Sequence, residues 1–469
     1  MAVLATPGFD LQPSAEQVAL ASNYITNFDF LNQYLPDTYE KEFERYGNRT
    51  VASFLRLVGA EMPSNSDLIK WAEQGRLHTK YTAMTAGANG AGSANNVYTV
   101  NDANVTGIAL RAGQTVMIVN PAANQSVKGI ITDPINTGGT GVGSVTVAYY
   151  PGTGQPWAAA TANLTLFVYG SEFGKGTNGM VGSLEAEDIF FDNKPIIIKD
   201  KYAVSGSDMA QIGWVEISTE NGGTGYLWYL KSEHETRLRF EDYLETAMLE
   251  AVPATAGAGS GVSAATQGSD GIFYVVEQRG NVWGGGNPQV LGDFDAVIQR
   301  LDKQGAIEEN VIFLNRQFGF DVDDMLAAQN SYGAGGTSYG LFDNDEEMAL
   351  NLGFSGFRRG YDFYKTDWKY LNDPTMRGGI TGAGVGINGL LVPAGSTSVY
   401  DQILGKNAKR PFLHVRYRAS ETEDRRYKTW ITGSAGGART SDLDAMEVNF
   451  LSERAVCTLG ANNFFIFKD

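Results

Sequence analysis

The sequence has little of what catalytic and metal sites are usually built from. Its 469 residues include one cysteine, Cys457, and three histidines, His78, His234 and His414. A single cysteine excludes an intrachain disulfide and any zinc site made of several thiolates. We interpret Cys457 as a small packed apolar residue, which is the commoner role of a lone cysteine.

Long apolar runs are also missing. No window approaches the roughly 18 uninterrupted apolar residues of a membrane-spanning helix. The opening residues, MAVLATPGFDLQPSAEQ, have no basic start and no apolar stretch of signal length. We therefore expect no membrane span and no Sec export, and we expect the protein to be made and folded in a cytoplasm.

Positive charge is scarce. Lysine and arginine together number 36 against 53 aspartates and glutamates, which gives a formal net charge of −17. A surface this acidic repels phosphate backbones, so direct binding of duplex DNA is not expected. Hydrophobic residues make up 43% and aromatic residues 11% of the chain. That composition allows a large buried core, and the length allows two or three domains.

Three stretches resemble known sites, and each fails a requirement of the site. HETRLRFEDYLETAML begins at His234 like a zinc-peptidase helix, but Leu238 stands where H-E-x-x-H needs its second histidine. YGSEFGKGT, around Lys175, has Gly176 where a phosphate loop needs serine or threonine. GVGING, residues 384–389, leads into the extended segment LLVPAG instead of a helix, so we interpret its glycines as turn residues.

Two acidic runs could attract calcium but lack the spacing of a twelve-residue loop with a terminal glutamate. Their acids are Asp343, Asp345, Glu346 and Glu347 in FDNDEE, and Asp321, Asp323 and Asp324 further upstream. We expect both runs at helix starts, where negative charge favours the helix dipole.

The basic clusters GFRRG and EDRRYK are interleaved with aromatic residues, as on a nucleic-acid surface. Each holds only two or three cations in an acidic chain, so we expect them to pair with acids of a neighbouring subunit. No G-x-S-x-G nucleophile elbow occurs. The sequence thus assigns no catalytic, cofactor-binding or metal-binding residue, and it favours a structural protein over an enzyme.

The first 80 residues are predicted to form short helices joined by breakers. One of these helices is SNSDLIKWAEQGRLH, with Asn65 or Ser66 as its cap. None is long enough for a compact domain, which suggests an arm laid over other structure.

The composition changes abruptly after residue 80. Between Tyr81 and Gly170 the charged residues are Asp102, Arg111, Lys128 and Asp133. Segments that alternate with period two, such as QTVMIVN and SVTVAYY, are separated by Gly/Pro/Asn turns, which predicts short antiparallel strands. We expect a small β-barrel or sandwich inserted into another domain.

The rest of the chain mixes helices and strands. A long amphipathic helix is predicted from about Tyr226 to Ala251, stopped by Pro253. GDFDAVIQRLDKQG predicts a helix with an aspartate cap that ends at Gly305, followed by the strand NVIFLN and the helix DVDDMLAAQNS. RPFLHVRYR and RRYKTWITG flank the turn ASETED and predict a hairpin, and AMEVNFLSE and NNFFIFKD predict the final strands.

Five segments carry a resemblance to a known family. WAEQGRLHTKY, FYVVEQRGNVWGGG, GLLVPAGSTSVYD, PFLHVRYRASETEDRRYKTW and NFLSERAVCTLGANNFFIF resemble the major capsid proteins of crAss-like phages, which are tailed double-stranded DNA phages. They are spread from residue 71 to 467. The order of the predicted elements is similar to that of the Hong Kong ninety-seven fold shared by such capsid proteins.

The resemblance implies an α+β fold with five parts. These are an N-terminal arm with short helices (1–75), an extended loop (76–215) that contains an inserted β-barrel or sandwich domain (81–175), a spine helix with the start of a peripheral domain (216–260), a mainly axial α/β domain with peripheral-domain returns (261–405), and a peripheral-domain hairpin with C-terminal strands (406–469). The spine helix itself would be 226–252.

The resemblance also implies a function without catalysis, cofactor or metal. Copies of the chain would form hexamers and pentamers of an icosahedral head shell in the virion, after synthesis in the host bacterial cytoplasm. Head auxiliary or decoration proteins and the portal vertex would be partners, double-stranded DNA would be enclosed cargo, and no membrane would take part.

Two alternatives remain open at this stage. A secreted or surface carbohydrate-binding or adhesin module is suggested by the β-rich insert and by Tyr149, Tyr150 and Trp157, which could stack on sugars. The missing signal sequence and the α/β half count against it. A hydrolase could use clustered carboxylates, such as Asp343 with Glu347.

Overall fold

The structure, a computed structural model, describes most of the chain from residue 60 onwards. The described residues are 54, 60–100, 108–135, 143–185, 188–210, 217–218, 224–225, 228–254, 266–305, 307–330, 355–401, 406–437 and 439–469. They fall into two compact units, a smaller one with Ile197–Glu245 and Tyr427–Ser452, and a larger one with Phe54–Ile196, Thr246–Arg426 and Glu453–Asp469. Each unit is described by itself.

The helix predicted over SNSDLIKWAEQGRLH is wrong, because this segment forms a strand. Strand β1 is Ala60–Ser64 and β2 is Ile69–Gln74. Strand β2 pairs antiparallel with a distant strand, Ile69 opposite Asn193 and Gln74 opposite Asp188. Long-range pairing overrides local helix propensity here. The other short helices predicted before residue 60 lie outside the described residues, except that Phe54 is helical.

Six strands of the larger unit close into a barrel. They are β3 Lys80–Ala86, β4 Asn95–Val100, β5 Gln114–Asn120, β6 Gln125–Ile135, β7 Gly143–Tyr149 and β8 Leu164–Ser171. Their order around the barrel is β3-β4-β7-β6-β5-β8. Alternate side chains such as Val116 and Ile118 on β5, and Val145 and Val147 on β7, fill the interior. Period-two burial on closed strands accounts for the alternation seen in the sequence.

The barrel is followed by β9 Asp188–Asn193, the partner of β2. The two strands form a two-stranded sheet of their own, which we call the ribbon. The chain leaves the ribbon after β2, traverses the barrel, and returns through β9.

The smaller unit is built around a helix and strands. Its first segment holds most of β10 Ile196–Ser205, helix α1 Gly206–Met209, strands β11 Ile217–Ser218 and β12 Thr224–Gly225, and the long helix α2 Trp228–Glu250 as far as Glu245. The helix predicted over 226–251 is therefore present, about 34 Å long at 1.5 Å per residue. Phe240 stacks on Phe450 with ring centroids 5.6 Å apart, inside a cluster that includes Leu244 and Val448.

The α/β part of the larger unit holds a six-stranded sheet with the order β13-β23-β17-β14-β16-β15. Its strands are β13 Asn281–Trp283, β14 Glu309–Leu314, β15 Gly356–Arg359, β16 Tyr361–Asp367, β17 Ile387–Pro393 and β23 Phe465–Lys468. Helices α3 Ile272–Arg279, α4 Leu291–Gln304 and α5 Arg316–Asn330 belong to the same part. Every residue of β17 is buried, as expected for a central strand covered on both faces.

Helix α4 ends and begins for identifiable reasons. Gly305 closes it in the left-handed conformation at φ 90°, where glycine has no steric penalty. The predicted aspartate cap is Asp293, whose carboxylate accepts N–H groups of Gln289 and Val290 at 3.1 and 3.4 Å. Asp293 lies in the first turn instead of before it, so it caps the helix from inside.

The hairpin predicted from RPFLHVRYR and RRYKTWITG is wrong in its pairing. The two strands are β20 Leu413–Arg418 and β21 Lys428–Gly433, and each pairs with the long strand β22 Ala445–Thr458. Leu413 lies opposite Thr458 in one register, and Lys428 lies opposite Leu451 in the other. One isolated bridge joins Ala419 to Asp424 within the ASETED turn. Strand β22 is fourteen residues long, so β20 and β21 can each pair with a different part of it.

Four other pairings occur among the described strands. Strand β1 runs parallel to β20, and β10 is hydrogen-bonded to β22. Strand β11 pairs antiparallel with β12, and β18 Ser396–Asp401 forms a hairpin with β19 Lys406–Pro411.

We predict that Leu244→Asp lowers the free energy of unfolding by about 3 kcal/mol, because it places a carboxylate where a side chain is only 7% exposed in an apolar cluster. Chemical denaturation followed by circular dichroism measures this. The matched control is Tyr243→Asp, one residue away and 45% exposed, for which we expect a change below about 0.5 kcal/mol. Equal effects at the two positions would contradict the buried face assigned to α2.

Candidate assembly surface

Cys457 lies in β22 and is 1% exposed. It packs in a small cluster with Ile69 and Ala455. Burial raises the pKa of its thiol to about 12, so little thiolate forms at neutral pH. The residue is a packed apolar side chain, in agreement with its interpretation from the sequence.

The three histidines lie in different places. His234 is half-buried on α2, His78 is exposed before β3, and His414 is buried on β20 with its Nδ1 3.2 Å from the carbonyl oxygen of Pro411. Among the residues the structure describes, no group of three or more histidine, cysteine, aspartate or glutamate side chains could hold a metal ion. The FDNDEE run, with Asp343 and Glu347, lies outside the described residues.

Two of the other acids predicted at a helix start are already engaged. Helix α5 begins at Arg316, so Asp321 and Asp323 lie beyond its first turn, and that prediction is wrong. Asp321 accepts hydrogen bonds from Asn287 and Gln317 at 2.7 and 3.0 Å. The carboxylate of Asp323 lies 2.5 Å from the amine of Lys365. The helix begins at Arg316, before the acidic residues, so they lie inside it and not at its N-terminus.

The glycine-rich motifs are turns. Gly176 has a φ of 77° on the exposed segment after β8, next to Lys175. Gly384 also has a φ of 77°, and three residues later Ile387 begins β17. GVGING therefore leads into a strand, as predicted, where no helix N-terminus is available for a phosphate.

The arginine clusters find acids within the same chain. Arg359 binds Asp295 through two nitrogens, Arg425 lies 2.7 Å from the carboxylate of Glu453, and Arg426 pairs with Glu61. For these three arginines an acid of the same chain is already bound, and the pairing of the clusters with acids of another subunit stays a prediction. Strand pairing brings their acids close from distant parts of the sequence.

The ribbon is fixed at its base. Asn193 donates from its amide to the carbonyl oxygens of Val456 and Asp270 at 2.7 and 3.0 Å. The carboxylate of Glu73 accepts the Trp71 indole N–H and the backbone N–H of Gly460, both at 3.0 Å. These hydrogen bonds join both strands of the ribbon to the rest of the larger unit.

The same ribbon exposes apolar side chains. Phe190 is 71% and Ile189 51% exposed, and Leu77, just beyond β2, is 86% exposed. Nothing among the described residues of the larger unit covers them. Ile189 and Phe190 are successive residues of β9, so their side chains point to opposite faces of the ribbon. A two-stranded ribbon is marginally stable on its own, so partners packed on either face would stabilise it.

Two of the three aromatics proposed to stack on sugars are not available. Trp157 is 3% exposed inside the barrel. The hydroxyl of Tyr149 is 2.5 Å from that of Tyr98 and donates to Gln155 at 3.0 Å. Burial raises the pKa of both phenols, to about 12 for Tyr98. This polar network lies within the barrel, and only Tyr150 remains exposed, at 48%.

Sequence reasoning missed two other exposed aromatics of the barrel. Phe167 and Tyr169 on β8 are 38% and 47% exposed. In NLTLFVY, Leu164 and Leu166 are buried at alternate positions. Period-two parity places Phe167 and Tyr169 on the opposite face, so the signal was present in the sequence.

Within the described part of the chain, no helix is long and apolar enough to cross a membrane.

Comparisons with known proteins gave matches only at the level of structure. No family model and no curated protein matches the sequence. A chain of Microbacterium phage Oxtober96 is 11% identical with a TM-score of 0.40, covering 95% of this chain and 99% of its own length. A chain of Gordonia phage Cozz is 10% identical with a TM-score of 0.40, covering 98% and 97%. The capsid of a native GTA particle is 9% identical with a TM-score of 0.39, covering 96% and 99%.

We predict that Cys457 does not react with a thiol reagent in the native protein at pH 8, because its thiol is buried and its pKa is raised. Absorbance after adding a chromogenic disulfide reagent measures the reaction. The same protein in guanidinium chloride is the control, in which one thiol per chain should react. Rapid labelling without denaturant would show that β22 opens.

Proposed function

We propose that this chain is the major capsid protein of a tailed double-stranded DNA phage. In this proposal copies assemble into hexamers and pentamers that form the icosahedral head shell around the genome. The observation that carries the proposal is the ribbon, which is fixed at its base and exposes apolar side chains along β9.

The ribbon supports self-association in two ways. Its strands present Ile189 and Phe190, and Leu77 follows β2, all more than half exposed. Leaving such side chains in water forgoes about 25 cal/mol for each Å² that could be buried. The hydrogen bonds of Asn193 and Glu73 hold the ribbon in place, so a docking surface is already ordered before a neighbour binds.

Cys457 is buried with a raised pKa, and the described residues contain no metal-binding group. The hydrolase alternative concerns Asp343 and Glu347, which lie outside the described residues. A structural role without catalysis, cofactor or metal is the simplest function compatible with the rest.

The parts of the fold can be assigned within this proposal. The ribbon belongs to the extended loop (76–215) and to the end of the arm (1–75), and the barrel is the inserted domain (81–175). Helix α2 is the spine helix of 216–260, the six-stranded sheet belongs mainly to the axial domain of 261–405, and β20 to β22 belong to the peripheral domain of 406–469. We further propose a crAss-like lineage, supported by the five sequence segments that resemble those capsid proteins.

Charge is compatible with a container for DNA. A chain with a net charge of −17 does not adhere to the phosphate backbone that it must admit and release. We propose that DNA is enclosed cargo, that the protein is located in the virion, and that head auxiliary proteins and the portal vertex are further partners.

A carbohydrate-binding or adhesin module is the second candidate. The exposed rings of Tyr150, Phe167 and Tyr169 on the barrel favour it. The burial of Trp157 and the internal hydrogen bonds of Tyr149 weaken it. A glycan array on which the purified protein binds nothing would remove this candidate.

We predict that the expressed protein forms rings, tubes or shells and that Phe190→Ser prevents this. Losing one central aromatic contact of about 2 kcal/mol weakens each contact roughly 30-fold. Light scattering and negative-stain electron microscopy measure assembly. The matched control is Val290→Ser, at a side chain 57% exposed outside the ribbon, which should assemble like the wild type.

One outcome would contradict the proposed function, and another would contradict the role of the ribbon in it. A wild-type protein that stays a monodisperse monomer at every concentration and with the other head proteins present would contradict self-assembly. Assembly of Phe190→Ser equal to the control would show that the ribbon is not the docking surface.

A further inference from the structure

A row of outward-facing side chains crosses the barrel wall. Lys80 on β3 lies opposite Phe167 on β8, Phe167 lies opposite Met117 on β5, and Met117 lies opposite Lys128 on β6. Tyr150 extends the row, because its backbone N–H donates to the carbonyl oxygen of Lys128 at 3.1 Å. With the neighbouring Tyr169 we call these six residues the lysine–aromatic face.

The face is exposed and partly preorganised. Tyr150, Phe167 and Tyr169 are 48%, 38% and 47% exposed, and both lysines are exposed. The rings of Phe167 and Tyr169 have centroids 6.3 Å apart, and the amine of Lys128 lies 5.6 Å from the centre of the Tyr169 ring. Such contacts limit side-chain motion before binding and so lower the entropy lost on association.

The face continues into an open concavity at one end. Its lining residues are Arg76, Leu77, His78, Thr79, Lys80 and Phe167. None of them is acidic, and Arg76 is anchored by donating to the carbonyl oxygen of Lys303. The concavity therefore extends the face with further basic and apolar groups.

The charge of the barrel differs from that of the chain around it. Residues 80–172 contain three basic and three acidic side chains, whereas the whole chain has a net charge of −17. One of these acids, Glu172, accepts a hydrogen bond from the hydroxyl of Tyr150 at 2.5 Å, so its carboxylate is already engaged within the chain. The excess of negative charge thus belongs to the other parts of the chain. A surface of the same protein outside the barrel is the complementary partner for a basic face.

The arrangement suits a protein surface. Phe167 and Met117 form an apolar centre with Lys80 on one side and Lys128 on the other. Protein interfaces commonly have an aromatic or methionine-rich centre and a charged rim. A row that crosses five segments on the outer wall of a closed barrel is convex, whereas small-molecule sites are concave and enclose their ligands.

We infer that the lysine–aromatic face binds an acidic surface on a second copy of this chain. This inference deepens the proposed function and rests on it, since it names a second copy-to-copy contact, which adjoins the ribbon at Leu77. The lysines steer the approach of an acidic surface, and the rings with Met117 supply the apolar burial that holds it.

The first test is a zero-length crosslink between copies. Particles are assembled from equal parts of ordinary and ¹⁵N-labelled protein and treated with a water-soluble carbodiimide, which joins amines to carboxylates. We expect mixed-isotope peptides that link Lys80 or Lys128 to an aspartate or glutamate. Lys175, which is exposed outside the face, is the internal control. Mixed-isotope links from Lys175 but none from Lys80 or Lys128 would overturn the inference.

The second test reverses the charge of the face. We expect the Lys80→Glu, Lys128→Glu double variant to lower the yield of particles at least 10-fold, and Lys175→Glu to leave it unchanged. Circular dichroism checks that both variants fold. A Phe167→Ser variant, which keeps both lysines, tests the apolar centre and should also reduce the yield.

The outcomes separate this inference from the proposed function. If the wild type assembles and the double variant assembles equally well, the inference fails while the capsid function stands. If the wild type never assembles, the proposed function itself fails. If the double variant assembles normally but no longer binds a column of polygalacturonate that retains the wild type, the face binds acidic glycans and the inference is overturned.

Discussion

The antiparallel pairing of β2 with β9 is the constraint on which much of the larger unit depends. It joins residues 69–74 to 188–193, so the chain between them must leave and return at neighbouring points. The barrel occupies that excursion as a closed unit with its own core. A closed barrel has no free edge strands, which allows it to sit within the excursion without disturbing the pairing that carries it.

A buried arginine contacts both strands at the base of the ribbon. The guanidinium of Arg279 lies 4.0 Å from the ring centroid of Phe191 and 5.8 Å from that of Trp71. Burial lowers the pKa of Arg279, and the nearby carboxylates of Glu73 and Asp270 oppose that shift. Cation–π contacts gain strength where water is excluded. Trp71 and Phe191 lie opposite each other on the two strands, so one charge over both rings can stabilise both strands of the ribbon.

Local patterns predicted some elements well and others poorly, for a physical reason. The strands of the barrel and helix α2 follow from periodicity, because each element buries one side along its length and so repeats its apolar residues at the strand or helix spacing. The segment of β2 was taken for a helix because its partner is more than a hundred residues away. The pairing of β20 and β21 with β22 and the acids bound by Arg359 and Arg426 depend on similarly distant contacts. On β8, the alternation of side chains along the strand separates the buried Leu164 and Leu166 from the exposed Phe167 and Tyr169. A choice based on aromatic residues alone, without this alternation, selects Trp157, which is buried.

The ribbon and the lysine–aromatic face contribute differently to self-assembly of an acidic chain. Copies that each carry a net charge of −17 repel one another, although salt screens this repulsion beyond about 8–10 Å. Close approach therefore requires places where the negative charge is low. The ribbon meets this requirement with uncharged Ile189 and Phe190, and the barrel meets it with a sequence nearly free of charge and a face bearing Lys80 and Lys128. Apolar contacts contribute affinity without regard to partner, while the lysines reject other basic surfaces and favour acidic ones. A chain with both kinds of surface can combine binding strength with a preference for its own copies.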